Sequence, residues 1–371
     1  MHHLFWGYEA GAAHVIPGAL LLPDSAEMPD NSAAVPPPFP VLIGDIGGTN
    51  ARFALIADRD APAQIFEPVA TADFPDIEAA IETSVLSRTS VRPRSAIIDI
   101  AGPIVGDAVD LTNAHWVIRP RETIRRTSVE EVILLNDFEA LAMALTALRP
   151  ADLARIGGGD DEFSGAKVVL GPGTGLGVGA LVQANGRWIP IPGEGGHVAL
   201  GPAEADEFSL WANIEPEDGR ISAETLLSGR GLVALYHAVA VTDGHAATLT
   251  RPAEVTQAAL ANSDPAAFRA VSLFCRLLGR LAGDMALVFM ARGGAYIGGG
   301  ISPRILPFLV TGDFGRAFEA KAPHEAVMAA IPSFVIVREN PALEGLAAFA
   351  REPQRFGVNL SGRRWGTSGT L

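Results

Sequence analysis

The sequence predicts an α/β protein with a duplicated phosphate-binding architecture, on three observations. A strand, a glycine turn and a second strand open the first half, in "VLIGDIGGTNARFALIAD" from Val41. The same grammar opens the second half, in "KVVLGPGTGLGVGALV" at 167–182. Between them "EEVILLNDFEALAMALTAL" reads as a short buried strand, two polar residues and a helix. A chain of 371 residues is long enough for two domains with sizeable cores.

The elements follow in order. Val41 to Ile43 and Phe53 to Ile56 are apolar runs flanking a polar turn, a hairpin signal. Residues 95–113, "SAIIDIAGPIVGDAVDLTN", repeat the pattern of an apolar run leading into glycine. Val132 to Leu135 form a strand, and Phe138, Leu141, Leu145 and Leu148 recur as one apolar helix face. Asn136 and Asp137 therefore stand at the carboxyl end of a strand, where open α/β sheets bind ligands. The polar loop at 157–166 separates the halves, and "AYIGGGISPRI" at 295–305 is again a strand running into glycines.

Composition narrows the function. The net charge of −14 argues against a nucleic-acid binder, which needs clustered Lys and Arg. No apolar run reaches the roughly 18 residues that span a bilayer, so no membrane partner is expected. The one cysteine, Cys275, leaves no intrachain disulfide and no multi-cysteine zinc site, and its apolar helix face makes it a core residue. Residues 1–40, closed by "VPPPFP", read as a poorly ordered leader, and 353–371, with "SGRRWGTSGTL", read as a loose tail.

The turns carry the chemistry. Gly47 and Gly48 allow a phosphate close to the backbone, Thr49 adds a hydroxyl, Arg52 a cation, and Asp45 could hold Mg²⁺ through water. Gly171, Gly173, Gly175 and Gly177 with Thr174 make the second turn. Either alone reads equally well as a glycine-stabilised hairpin. Paired, they match the actin-like ATPase design, in which two hairpins clamp the phosphates of one nucleotide. Neither turn fits the P-loop pattern, and neither opens a long helix as a dinucleotide site requires.

"PGEGGHVALGP" at 192–202 offers Glu194 and His197 in a glycine loop. The spacing resembles a metal motif, but no helix aims the two side chains together. An acid and an imidazole beside bare backbone suit hydrogen bonding to a polyol. Glu224 in "RISAETLLSG" reads as an acid favouring a helix start, and Asp137 as either a functional acid or a helix cap. His14, His115, His237 and His245 lie in no such constellation.

Taken together, "GDIGGTNARFAL", "LTNAHW", "NDFEALAMA", "GPGTGLGVGAL", "PGEGGHVALGP", "SAETLLSGRGLVALY", "GGAYIGGGISPR" and "ENPALEGLAAF" resemble the bacterial glucokinases. The resemblance runs from about Val41 to about Arg351 and is to the type lacking a zinc motif. It implies the two-lobed actin-like ATPase (ribonuclease H-like) fold and transfer of the γ-phosphoryl of ATP to the 6-hydroxyl of glucose, the first step of glycolysis. Asp137 matches the catalytic base. Asn136, Glu194, His197 and Glu224 match glucose-binding residues, and Asn113 is a weaker match. Asp45, Gly47, Gly48, Thr49, Asn50, Gly171, Gly173, Thr174 and Gly175 would hold the ATP phosphates. Gly298, Gly299 and Gly300 would lie near the adenosine. The resemblance further implies Mg²⁺ as cofactor, a cytoplasmic location and a homodimer. The lobes it implies are 41–148 plus 338–352, and 149–337. A kinase of mannose or fructose would carry mostly the same residues. A sugar sensor would more often add a DNA-binding segment or lose the base.

Overall fold

The computed structural model describes residues 35–102, 104–111, 114–160, 164–367 and 369–370. Residues 36–371 make one compact unit. Its frame is a pair of sheets with the same plan. In the first, β1 (Val41–Ile46) pairs antiparallel with β2 (Asn50–Ile56) and parallel with β3 (Ser95–Ile100), which pairs parallel with β4 (Glu131–Asn136). In the second, β5 (Lys167–Pro172) pairs antiparallel with β6 (Leu176–Ala184) and parallel with β8 (Ala295–Ile297). Outside these lie β7 (Arg187–Gly193), antiparallel to β6, and β9 (Ser333–Ile336), parallel to β8. Each sheet therefore has a hairpin-opening central strand with parallel strands added on the other side. This repeats the strand–turn–strand grammar seen twice in the sequence.

The parallel strands are apolar on both faces because both faces are covered. Val41, Ile43, Ile97, Ile133 and Leu135 of the first sheet share a core with Val169, Leu181, Tyr296 and Ile336 of the second. Two helices complete that shared core, α1 (Asp137–Ala144) and α4 (Pro341–Arg351). They cross so closely that a Cβ on Gly345 would lie 1.8 Å from the Ala140 carbonyl oxygen. Because α1 is sandwiched, all residues from Glu139 to Ala144 are buried. The single apolar stripe expected from Phe138 to Leu148 is replaced by a helix buried on every side that ends at Ala144. The outer side of the second sheet is closed by α2 (Gly229–Thr242) and α3 (Pro265–Phe289), with Cys275 buried among them as expected.

The described parts of the chain ends differ from the expected leader and tail. Residues 1–34 lie outside the described residues, but the stretch before Val41 is tied down. The Pro38 carbonyl accepts from Ser95 Oγ at 2.6 Å, and the Pro40 carbonyl accepts the Arg94 N–H at 2.7 Å. The tail is not loose. β10 (Arg364–Gly366) runs antiparallel to β4 and extends the first sheet. Trp365 is fully buried and donates Nε1–H to Asp107 at 2.7 Å. Arg364 donates twice to one oxygen of the buried Glu131, at 2.9 and 2.7 Å. A polar, glycine-rich composition concealed these anchors because every partner is more than 200 residues away in the chain.

Candidate active site

Both hairpin turns lie at the same point of their sheets. In the first, the Gly47 N–H donates to the Asn50 carbonyl at 3.0 Å, and Thr71 ties the turn from outside through Gly48 and Thr49. In the second, the Gly173 N–H donates to the Gly175 carbonyl at 2.8 Å, and the Gly173 carbonyl accepts the Gly229 N–H at 2.9 Å. Each turn exposes its threonine, Thr49 and Thr174. A Cβ on Gly173 would meet nothing within 4 Å, so that backbone is open to a ligand.

Other glycines of the second turn have packing reasons. A Cβ on Gly171 would lie 2.8 Å from Phe138 Cζ, and one on Gly177 would lie 1.7 Å from Phe138 Cε2. The Phe138 ring of α1 thus rests on β5 and β6 where side chains are missing. Gly298 donates its N–H to Leu170 at 2.7 Å. Gly299 has φ +73°, and a Cβ there would press on the Pro172 carbonyl, while Gly300 is open. The triple glycine is laid against the second turn. Arg52, expected to face a phosphate, instead pairs with Asp45 across the first hairpin at 3.2 Å.

Asp137 is the first residue of α1, and its place follows from the cap. Asn136 Oδ1 accepts the N–H groups of Phe138 (2.9 Å) and Glu139 (3.3 Å), while Glu139 Oε2 accepts the Asn136 N–H at 3.0 Å. This is a complete capping box. It uses the Asn136 oxygen, so the side-chain NH₂ is what Asn136 can offer a hydroxyl. Burial pushes the Asp137 carboxyl up to about 7, the Phe138 N–H opposes, and the charges of Asp45 and Glu194 add to the rise. Asp45 is raised too, chiefly by burial, with Arg52 pulling it back.

A third acid joins them. Asp99 stands opposite Asp45 in the parallel register of β1 and β3. It is fully buried, and among the described residues neither oxygen has a hydrogen-bond partner. Burial and the charges of Asp45 and Asp137 hold its carboxyl well above the usual range. The sequence reading missed Asp99, although β1 and β3 end alike, in Asp45-Ile46-Gly47-Gly48 and Asp99-Ile100-Ala101-Gly102.

Glu194 and His197 flank a 3₁₀ turn, with His197 Nε2 3.8 Å from Glu194 Oε2 and both side chains largely exposed. The loop lies on the second hairpin. A Cβ on Gly196 would come within 1.9 Å of the Leu176 carbonyl oxygen. Its far end is held by Arg280, which donates to the Gly201 carbonyl at 3.1 Å and to both oxygens of the buried Glu207. Glu224 Oε2 accepts the Leu176 N–H at 2.8 Å, and Oε1 pairs with Arg230 at 2.8 Å. Glu224 therefore supports the second turn directly. Asn113 lies outside the described residues.

The residues fit a water-bridged Mg²⁺. That ion needs only one or two carboxylates beside substrate phosphates, and Asp45 borders a glycine turn with Asp99 and Asp137 near enough to feel its charge. Among the described residues no group of three or more His, Cys, Asp or Glu forms a metal cage, which such a mode does not require. No described helix is long and apolar enough to cross a membrane.

Two sheets of one plan, each opened by a glycine hairpin, make the frame of the actin-like ATPase fold, the fold of the solved sugar kinases that this chain resembles. A family model described as Glucokinase matches residues 42–353. The chain is 54% identical over 328 residues to the glucokinase of Sinorhizobium medicae, covering 88% of this chain and 97% of the relative. A solved glucokinase from an Antarctic psychrotroph superposes with a TM-score of 0.74 at 32% identity, covering 83% of this chain and 97% of that one. A glucokinase from Streptomyces griseus in complex with glucose and AMPPNP shares the fold, with a TM-score of 0.57 at 19% identity over 84% and 99%. The chain belongs to the glucokinase family.

Proposed function

We propose that the chain transfers the γ-phosphoryl of ATP to the 6-hydroxyl of glucose, with Asp137 as general base. The observation that carries the reading is the Asp137 carboxyl. It opens the helix packed between the two hairpin-led sheets, and burial and neighbouring acids push it up to about 7. A base so placed can take a proton near neutral pH. Glucokinase relatives at this level of identity support the substrate pair, as does the glucose and AMPPNP held by the Streptomyces protein of the same fold.

Phosphoryl transfer asks for alignment and charge neutralisation more than covalent work. The N–H groups of Gly47 to Asn50 and of Gly173 to Gly175 would cradle the phosphates, with Thr49 and Thr174 adding hydroxyls. Mg²⁺, held through water by Asp45, supplies further neutralisation when bound. Glu194 and His197 would grip ring hydroxyls from their exposed loop, with the Asn136 NH₂ beside them and Asn113 shaping the cleft. Glu224 would accept a sugar hydroxyl on a lone pair left over from Leu176 and Arg230. Asp137 would draw off the proton of the 6-hydroxyl as that oxygen attacks phosphorus and the bond to ADP breaks. With glucose 6-phosphate as product, the reaction would stand at the head of glycolysis, in the cytoplasm. The test is ADP release from Mg²⁺-ATP with glucose, mannose, fructose and N-acetylglucosamine supplied separately. ADP formed strongly with glucose alone supports the reading. ADP with several hexoses widens the substrate, and no sugar-dependent ADP overturns it.

A further inference from the structure

We propose that Arg363 is a positioning residue for Asp137, acting through Glu139 from the turn just before β10; the inference rests on the reading of Asp137 as the base. Arg363 Nη1 donates to Glu139 Oε2 at 2.6 Å and Nη2 to Oε1 at 3.2 Å. Oε2 is the same oxygen that accepts the Asn136 N–H in the capping box. The pair is enclosed, with the Glu139 side chain 6% and the Arg363 side chain 16% exposed. A carboxylate at that depth needs its cation, because an unpaired buried charge is costly. With the guanidinium in place Glu139 can stay inside and hold Asn136, and Asp137 lies between the two halves of that box.

Arg363 is itself fixed from several sides. Its Nε donates to the Asn359 carbonyl at 2.8 Å, and its carbonyl accepts the Leu134 N–H at 3.0 Å. Arg364 and Trp365 then nail β10 to the first sheet through Glu131 and Asp107. The tail thus delivers one cation to the base of the helix that presents Asp137. It does so from beyond residue 353, where the family match ends.

The test compares kcat and KM in Arg363→Gln and Arg363→Lys, with glucose binding by calorimetry and melting followed alongside. Displacement of a reacting group by about 1 Å costs on the order of 10²-fold in rate, so a partial loosening in Arg363→Gln should cut kcat about 10-fold or more. KM for glucose and the calorimetric affinity should change less than kcat, since of the residues proposed to hold the sugar Arg363 reaches only Asn136, and that through the cap. Arg363→Lys keeps a cation against Oε2 and should recover part of the loss. Trp365→Phe serves as the control: it perturbs β10 without touching the cap, and should lower the melting temperature with kcat kept. A wild-type kcat in Arg363→Gln, or equal losses in the Gln and Lys variants, overturns the proposal. Asp137→Asn run in parallel separates the two failures. If that variant turns over normally, the base assignment falls. If it is inactive while Arg363→Gln is normal, only the positioning role falls.

Discussion

Asp137→Asn should make the protein a poor catalyst and a more stable molecule, and the second effect should depend on pH. The substitution is isosteric, and the amide oxygen can still accept the Phe138 N–H that Asp137 Oδ1 accepts at 3.0 Å. Turnover should drop by at least about 10²-fold, the usual worth of a general base. The stability effect follows from the carboxyl itself, raised from 3.8 to about 7 in the folded chain. At about 1.4 kcal/mol per pH unit that displacement amounts to at most about 4 kcal/mol. The sign is set by proton binding. Between about 4 and 7 the folded state holds a proton that the unfolded state has lost, so wild-type stability falls as pH rises through that window. The Asn variant has no such proton and escapes the loss. Its melting temperature should match that of wild type near pH 4 and exceed it by several degrees at pH 8. In the free wild-type enzyme kcat/KM should rise with pH through about 7. Near-normal turnover would remove Asp137 from the chemistry. A stability difference that stays flat from pH 4 to pH 8 would refute the claim that burial and the acids Asp45 and Glu194 raise its carboxyl.

Other substitutions separate roles that the structure distinguishes. Glu194→Ala should raise KM for glucose steeply with little change in melting, because the side chain is 79% exposed and faces only the exposed His197 at 3.8 Å among the described residues; an unchanged KM removes it from the sugar site. Gly173→Ala should keep stability, since its Cβ meets nothing within 4 Å, yet raise KM for ATP; Gly177→Ala should do the reverse first, displacing the Phe138 ring at a cost of roughly 1–3 kcal/mol read from urea unfolding. Trp365→Ala should destabilise the fold by about 3–5 kcal/mol, the usual cost of emptying a fully buried aromatic site; a loss under about 1 kcal/mol would mean that β10 is not anchored as described.

The frame was legible because its signals are local. Two apolar runs around a glycine turn mark each hairpin, and a strand followed by Asn136 and Asp137 marks the start of α1 within a few residues. What escaped was set by partners distant in the chain. Glu139 and Arg363 are 224 residues apart, and Trp365 and Asp107 are 258 apart, so nothing local distinguishes "GRRWG" from a polar tail. Asp99 escaped for a different reason. A lone acid in an isoleucine run looks like an ordinary strand residue until the register sets it beside Asp45. The glycines were seen as phosphate turns, and the structure adds a second use. Gly171 and Gly177 make room for Phe138, a residue that the helix periodicity assigned only to a stripe.

That double use of glycine bears on how the site is held. A reacting carboxyl, the role proposed for Asp137, must be placed to a fraction of an ångström, and loops rarely do this alone. Here the sequence places Asp137 at the first residue of a helix buried from Glu139 to Ala144, between two sheets that contribute to one core. Phe138 then locks the helix to the second hairpin through the missing side chains of Gly171 and Gly177, and Gly345 lets α4 close on it from behind. The same enclosure that fixes the carboxyl removes its water, and so raises it towards neutrality with Asp45 and Glu194 adding to the effect. Positioning and proton affinity are in this way one consequence of packing. The stability forfeited by ionising a buried acid is spread over a core that spans both sheets, which is where a protein can best sustain it.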